Sequence, residues 1–247
     1  MKENILIVGA LSGLARPIAD QLAAQGHALV LAARDGEELL RMQADLRVRH
    51  RANITIAPFE ALDFDSHAGL IEQADKAFAD GLTGILFCAG WLADQRWAAA
   101  DFAAARQMID INFTAAVSVL NHAANLFEPR RRGWIGALSS VAGDRGRLSN
   151  YLYGSTKSAL NAYLQGLRHR LTAAGVTVIT VKPGCADTAM TYGMEKLPFL
   201  VGPEVIARDV VRAIARRRLI VYTPGIWWPV MTIIRLLPEQ LFRRLKI

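Results

Sequence analysis

Cysteine, histidine and long apolar runs are all scarce in this chain, and each scarcity removes a class of protein. Of 247 residues only Cys88 and Cys185 are cysteines, far apart and outside any metal-ligand spacing. They suit small buried residues in a reducing compartment and leave no material for a disulfide framework. The five histidines (His27, His50, His67, His122 and His169) form no metal motif, so no metal site is expected. No apolar run reaches the roughly 20 residues that span a bilayer. The first one, Asn4 to Val8, stops at Gly9 and reads as a strand rather than a leader peptide, which implies a cytoplasmic protein. No repeat, low-complexity tract or composition break marks a linker, so one domain is expected.

Charge is scarce over most of the length as well. The formal net charge is +7, but residues 216–247 carry Arg216, Arg217, Arg218, Arg235, Arg243, Arg244 and Lys246 against Glu239 alone. The chain is therefore a near-neutral domain with a basic tail, divided here at 1–225 and 226–247. Without a basic stripe across the domain, nucleic acid is not expected as a partner.

What the chain has in quantity is apolar material, about half of its residues. Strand-length runs near 4–8, 28–32, 53–57, 84–88, 134–138, 177–182 and 219–222 alternate with helical patterns near 13–25, 36–49, 65–79, 98–127, 152–173 and 203–216. That alternation predicts an α/β domain with a doubly wound parallel sheet of about seven strands flanked by helices.

The first strand runs into Gly9-Ala10-Leu11-Ser12-Gly13-Leu14-Ala15. A dinucleotide pyrophosphate needs a tight turn, backbone without Cβ close by and a helix N-terminus, and this segment supplies the residues for them. The second strand ends in Ala33-Arg34-Asp35. Arg34 suits a 2′-phosphate, which favours NADP(H) over NAD(H), while Asp35 with Glu38 reads as a helix cap. A surface role for Arg34 is the competing reading. Asp63 is placed to meet an adenine edge or, alternatively, to cap a helix. Farther on, Tyr153 and Lys157 lie one turn apart on a helix, with Ser140 thirteen residues upstream. An ammonium there is expected to lower the tyrosine pKa, so that the tyrosine exchanges a proton with a carbonyl that Ser140 holds.

Together these segments resemble the short-chain dehydrogenase/reductase family over residues 4 to about 222. The resemblance rests on Gly9-x3-Gly13-x-Ala15, Asp63, Ala89-Gly90, Asn112, Ser140, Tyr153-x3-Lys157 and Pro183-Gly184-x3-Thr188. It departs from the family at Val8, where threonine is usual, and at Phe87-Cys88, where two asparagines precede Ala-Gly. The resemblance implies a single-domain Rossmann fold, a homo-oligomer and hydride transfer between a nicotinamide and a carbonyl. It also implies roles: Tyr153 donates the proton, Ser140 holds the oxygen, Lys157 tunes Tyr153 and binds the ribose, and Asn112 holds a relay water. Gly9, Leu11, Ser12, Gly13, Leu14, Ala89 and Gly90 would line the cofactor, and Pro183, Gly184 and Thr188 its carboxamide end. A closer likeness joins Asp110 to Val119, Arg145 to Asn150 and Leu241 to Ile247 with reductases acting on decaprenylphosphoryl-2-keto-ribose.

The substrate end is read from less. Met190, Tyr192, Met194, Leu197, Pro198, Phe199 and Leu200 form an apolar loop where the family covers its substrate, so a lipid-like partner is expected, with core packing as the rival. Arg145 and Arg147 follow Ser140 closely and suit a substrate phosphate. In the tail, Trp227, Trp228 and flanking arginines suit contact with a membrane surface, peripheral at the inner membrane, or packing on the domain. A lipid-linked keto-sugar is the leading substrate, and a steroid, fatty-acyl or other apolar ketone is the alternative. A nucleotide-binding scaffold without turnover is the alternative of another class.

Overall fold

The computed structural model describes residues 2–194 and 197–245. Lys246 and Ile247 of the tail, and Glu195 and Lys196 of the apolar loop, lie outside the described residues. In chain order the elements are β1 (Asn4–Val8), α1 (Ala15–Ala24), β2 (Ala28–Ala33), α2 (Gly36–His50), β3 (Ile54–Pro58), α3 (His67–Lys76) and β4 (Gly84–Phe87). There follow α4 (Gln95–Ala100), α5 (Phe102–Ile109), α6 (Ala115–Arg130), β5 (Trp134–Leu138), α7 (Tyr151–Thr172) and β6 (Thr177–Pro183). The described chain ends with α8 (Pro203–Ala215), β7 (Ile220–Thr223), α9 (Trp227–Leu236) and α10 (Glu239–Phe242).

All seven strands pair in parallel, in the order β3-β2-β1-β4-β5-β6-β7. This is the doubly wound Rossmann arrangement in one α/β domain. Most of the strands are buried on both faces, which explains why they read as continuous apolar runs. One core lies between the sheet and α3, α6 and α7; it includes Phe87, Phe127 and Leu164. The other lies between the sheet and α1, α2 and α8; it includes Ile18, Leu39 and Ile206. The chain order reverses between β1 and β4, and a crevice opens there at the carboxyl ends of the strands.

One expectation changes. The single helical stretch expected over 98–127 is three helices. Asp94 starts the first of them early, accepting from the Arg96 and Trp97 N–H groups, and Asp101 breaks the run by accepting from the Ala103 N–H at a second helix start. Between α5 and α6, Asp110–Thr114 widens into one π turn. The tail packs on the domain, one of the two arrangements expected for it: α9 buries Trp227 and Met231 beside Val141, with Tyr222 and Cys185 packed around them. Asp35 caps α2 as expected, accepting from the Glu38 N–H.

Candidate active site

The turn after β1 is held by two backbone bonds, from Gly9 N and Ala10 N to Ala32 O at 2.8 and 3.0 Å. Gly9 sits at φ +76°, a left-handed conformation that costs other residues about 1–2 kcal/mol. A Cβ there would also stand 2.6 Å from the Ala89 backbone nitrogen, so the turn and the end of β4 touch only because Gly9 has none. Gly13 lies under Thr188: a Cβ on it would meet Thr188 Cβ and Cγ2 at 3.0 Å. Thr188, 175 positions later, thus closes over the glycine turn. Ser12 Oγ accepts from Ala15 N at 3.3 Å and satisfies a donor at the start of α1.

A cleft of about 450 Å³ opens at this point. Gly9, Leu11, Ser12, Arg34, Ala89 and Gly90 line it, as the sequence pattern led one to expect. Phe59, Glu60, Ala61, Trp91, Gln107 and Ile111 line it too. Leu14 and Asp63 do not, nor do Gly13, Tyr153, Lys157, Pro183, Gly184 and Thr188, which lie beyond its walls. Leu14 packs against the core under α1, and Asp63 is exposed at the start of a short 3₁₀ turn with no side-chain capping bond. The acid that faces the cleft is Glu60, two residues past β3, where the Phe59 N–H bonds Ala33 O and carries the chain across the β2 end. Its signal was an acid directly after a strand. His67 holds this corner from beneath: fully buried, it contacts Glu60 O at 3.1 Å and Ser118 Oγ at 3.0 Å, and stacks on Phe59. Arg34 stands at the rim, 3.8 Å from Glu60, with its side chain 84% exposed.

Tyr153 meets Ser140 because two glycines let backbones touch. A Cβ on Gly143 would lie 2.6 Å from the Lys157 carbonyl carbon, and one on Gly154 would lie 2.9 Å from Ala142 O. Helix α7 therefore rests directly on the 3₁₀ turn Val141–Asp144 that Ser140 caps, its Oγ accepting from Ala142 N at 3.0 Å. Ser139 and Asn161 tie the same two segments, Ser139 Oγ donating to Asn161 Oδ1 at 2.7 Å. Lys157 Nζ is buried, donates to Leu138 O at 3.0 Å and lies 5.6 Å from the centre of the Tyr153 ring.

The expected lowering of the Tyr153 pKa is not what this geometry gives. Burial pushes it up to about 12, and the hydrogen bond with Ser140 offsets only part of that. Lys157 directs its ammonium to Leu138 O, and its own pKa falls to about 8 because burial disfavours the charge, with buried Cys88 acting the other way. At neutral pH the tyrosine is therefore a phenol, the proton-donating form. Asn112 is anchored through its side chain. Both ends of its side-chain amide are taken by Trp91, whose N–H donates to Oδ1 at 2.7 Å and whose carbonyl accepts from Nδ2 at 2.8 Å. The π turn delivers this buried amide to the end of β4, and such turns recur at functional sites.

The expected substrate residues diverge. Arg145 is not free for a phosphate. Its Nη1 donates to Ile234 O and Leu237 O at 2.6 and 2.5 Å, and its Nη2 pairs with Glu239 at 2.9 Å. Arg147 is half-buried, burial lowers its pKa, and its Nε has no partner among the described residues. Met190 and Tyr192 are exposed, Tyr192 almost wholly, so neither closes the cleft. Gly184 lies against the Trp227 indole, and its N–H donates to Thr223 O at 2.9 Å. Pro183 ends β6 beside it.

Known proteins match this arrangement. The model of the short chain dehydrogenase family matches residues 3–196. An uncharacterized oxidoreductase of Mycobacterium tuberculosis is 34% identical over 241 residues, spanning 98% of this chain and 96% of its own. A bulky-bulky ketone specific alcohol dehydrogenase from Comamonas testosteroni superposes with a TM-score of 0.82 at 22% identity, covering 98% of this chain and 94% of its own. A short-chain dehydrogenase from Sphingobium yanoikuyae, solved with NADPH, gives a TM-score of 0.80 at 22% identity, covering 98% and 95%. With the glycine turn at the switch point and Ser140, Tyr153 and Lys157 gathered beside it, the chain belongs to the short chain dehydrogenase family of NAD(P)-dependent oxidoreductases.

Proposed function

We propose that the protein reduces a ketone with NADPH, using Tyr153 as proton donor, and that the ketone is a lipid-linked keto-sugar of the polyprenyl-phosphate class. The observation that carries the chemistry is the meeting of Ser140, Tyr153 and Lys157 at the carboxyl end of β5, next to the cleft.

The cleft fits a dinucleotide. Cβ atoms are absent at Gly9 and Gly13, where Ala89 and Thr188 leave no room for them, and a backbone cradle of this kind receives a pyrophosphate. Gly9, Leu11, Ser12, Ala89 and Gly90 would hold the phosphates and riboses. Glu60 and Ala61 stand at the adenosine end in place of Asp63, and Arg34 would take a 2′-phosphate there. The NADPH of the Sphingobium enzyme supports that choice, with NAD(H) as the weaker ligand. The Pro183–Gly184 turn and Thr188 would hold the carboxamide end. When bound, the nicotinamide supplies the hydride.

The chain's own part is proton delivery and orientation. Tyr153, protonated because burial opposes its ionisation, donates to the carbonyl oxygen as charge develops there. The Ser140 hydroxyl, beside Tyr153, would fix that oxygen's position. Lys157 supplies positive charge beneath both and binds a ribose. Asn112 fixes Trp91 and the segment after β4, and the donor and acceptor sites its amide keeps would hold the relay water. The substrate reading rests on the likeness of residues 110–119 and 145–150 to keto-ribose reductases and on the exposed apolar loop. The Comamonas enzyme's bulky ketones favour the second reading, an apolar ketone without the sugar. NADPH oxidation with extracted lipid-linked keto-sugars tests the proposal. Tyr153→Phe is expected to lower turnover about 10²–10⁴-fold; an unchanged rate sinks the mechanism, and turnover confined to small soluble ketones sinks the substrate class.

A membrane surface is the fitting source of such a substrate. No helix among the described residues is long and apolar enough to cross a membrane. The outer face of α9 and α10, however, exposes Trp228, Ile233, Leu236 and Leu241 beside Arg235, Arg243 and Arg244. Anionic headgroups would add about 1 kcal/mol per well-placed cation. The protein is expected to sediment with anionic liposomes and Arg243→Glu/Arg244→Glu to remain in solution; equal sedimentation of the two counts against membrane contact.

A further inference from the structure

The contacts that seat α9 converge on the two turns flanking the proposed reaction centre. Val141, the residue after Ser140, is buried with Trp227 and Met231. Across the site, Gly184 makes room for the Trp227 indole: a Cβ on Gly184 would lie 1.8 Å from Trp227 Nε1. The last carbonyls of a helix lack intrahelical donors and carry the negative end of its dipole. Those of α9 are met by Arg145, which donates to Ile234 O and Leu237 O, pairs with Glu239 and lies 3.9 Å over the Phe242 ring. Next to it Asp144, 3% exposed, receives Lys182 Nζ at 2.5 Å and the Tyr222 hydroxyl at 2.7 Å, and Tyr222 packs against the same cluster. Three of the five residues after Ser140 are thus gripped by the C-terminal segment or by the strands it covers.

We propose that residues 226–242 act as a positioning clamp for catalysis, in which Arg145 and Trp227 hold the Ser140 turn and the Pro183–Gly184 turn at a fixed separation. The proposal rests on the reading of Ser140 as the residue that orients the carbonyl. Its consequence is specific. The adenosine end of the cleft, lined by Gly9, Arg34 and Glu60, includes no residue of the clamp, and only the carboxamide end meets the Pro183–Gly184 turn, so loosening the clamp costs turnover far more than cofactor affinity.

The test compares Arg145→Ala and Arg145→Lys with the wild type in the full-length protein. Four quantities are measured: kcat and KM for the ketone, the NADPH dissociation constant by fluorescence, and amide hydrogen exchange in 139–145 and 183–186. Misplacing a positioned group by about 1 Å costs about 10²-fold, so Arg145→Ala is expected to lose about that much kcat per NADPH-binding site. NADPH affinity should stay within about threefold, and exchange should quicken in both turns. Arg145→Lys keeps a charge for the helix end but not the fork that reaches Ile234 O, Leu237 O and Glu239 together, and is expected to regain only part of the rate. A merely structural role predicts fewer NADPH-binding sites with unchanged kcat per site. That result, or unaltered exchange in both turns, overturns the proposal. If Arg145→Ala does not fold, Glu239→Ala, on an exposed side chain, removes one contact of Arg145; it must quicken exchange at 139–145, and no change there overturns the clamp. Failure of the underlying reading looks different: wild-type turnover would then not depend on Tyr153, while the exchange result would stand by itself.

Discussion

Gly184 and Trp227 offer a double-mutant cycle whose outcome follows from one distance. A Cβ on Gly184 would lie 1.8 Å from the Trp227 Nε1 and 2.3 Å from its Cε2, well inside any permitted contact. The indole is 3% exposed and wedged beside Val141 and Met231, so it has no nearby place to retreat within the cluster. Gly184→Ala must therefore expel it, and the cost approaches that of deleting the side chain, about 3–5 kcal/mol for a buried tryptophan. Trp227→Ala loses the same burial directly, about 3–5 kcal/mol again. In the double variant the new methyl enters space the indole has vacated, so the total should stay near that of either single change. The coupling is then on the order of 3 kcal/mol, the upper end for residues in contact. At about 2–4 °C per kcal/mol for a chain of this size, each of the three variants should melt about 6–20 °C below the wild type. Urea unfolding checks the sum. Additive losses, or a Gly184→Ala variant as stable as the wild type, would refute the packing argument.

The pH dependence carries a sign. Lys157 has a lowered pKa of about 8 and loses its charge as pH rises through that value, whereas Tyr153 keeps its proton to about 12. The kcat/KM of ketone reduction should accordingly hold across neutral pH and fall about tenfold per unit above pH 8; a rate that is flat to pH 10 rejects the dependence on Lys157. At the other end of the cleft, Arg34→Ala should weaken NADPH binding and leave NADH binding nearly unchanged, measured as two dissociation constants by titration. Equal weakening of both would mean that Arg34 does not read the phosphate.

The strands were legible to within a residue or two because parallel strands buried on both faces leave continuous apolar runs, as in Ile5 to Val8. Ser140, Tyr153 and Lys157 were legible because a fixed spacing on one helix and one preceding turn brings them together. The break at Asp101 was hidden in an alanine-rich stretch, where two capping aspartates look like ordinary surface residues. Glu60 was passed over for Asp63 because the sequence does not say how the chain leaves β3. Arg145 escaped for a more basic reason: its partners lie about ninety positions away and are backbone carbonyls, which have no residue identity to read. The pKa of Tyr153 depends on depth of burial, which the whole fold decides.

Gly143 and Gly154 let α7 approach the Ser140 turn to backbone contact, and the Ser139 and Asn161 side chains hold it there. The catalytic distance is thereby insulated from the residues that shape the pocket. A side chain added at either glycine would therefore push the helix away from the turn, whatever the residues around the cleft are.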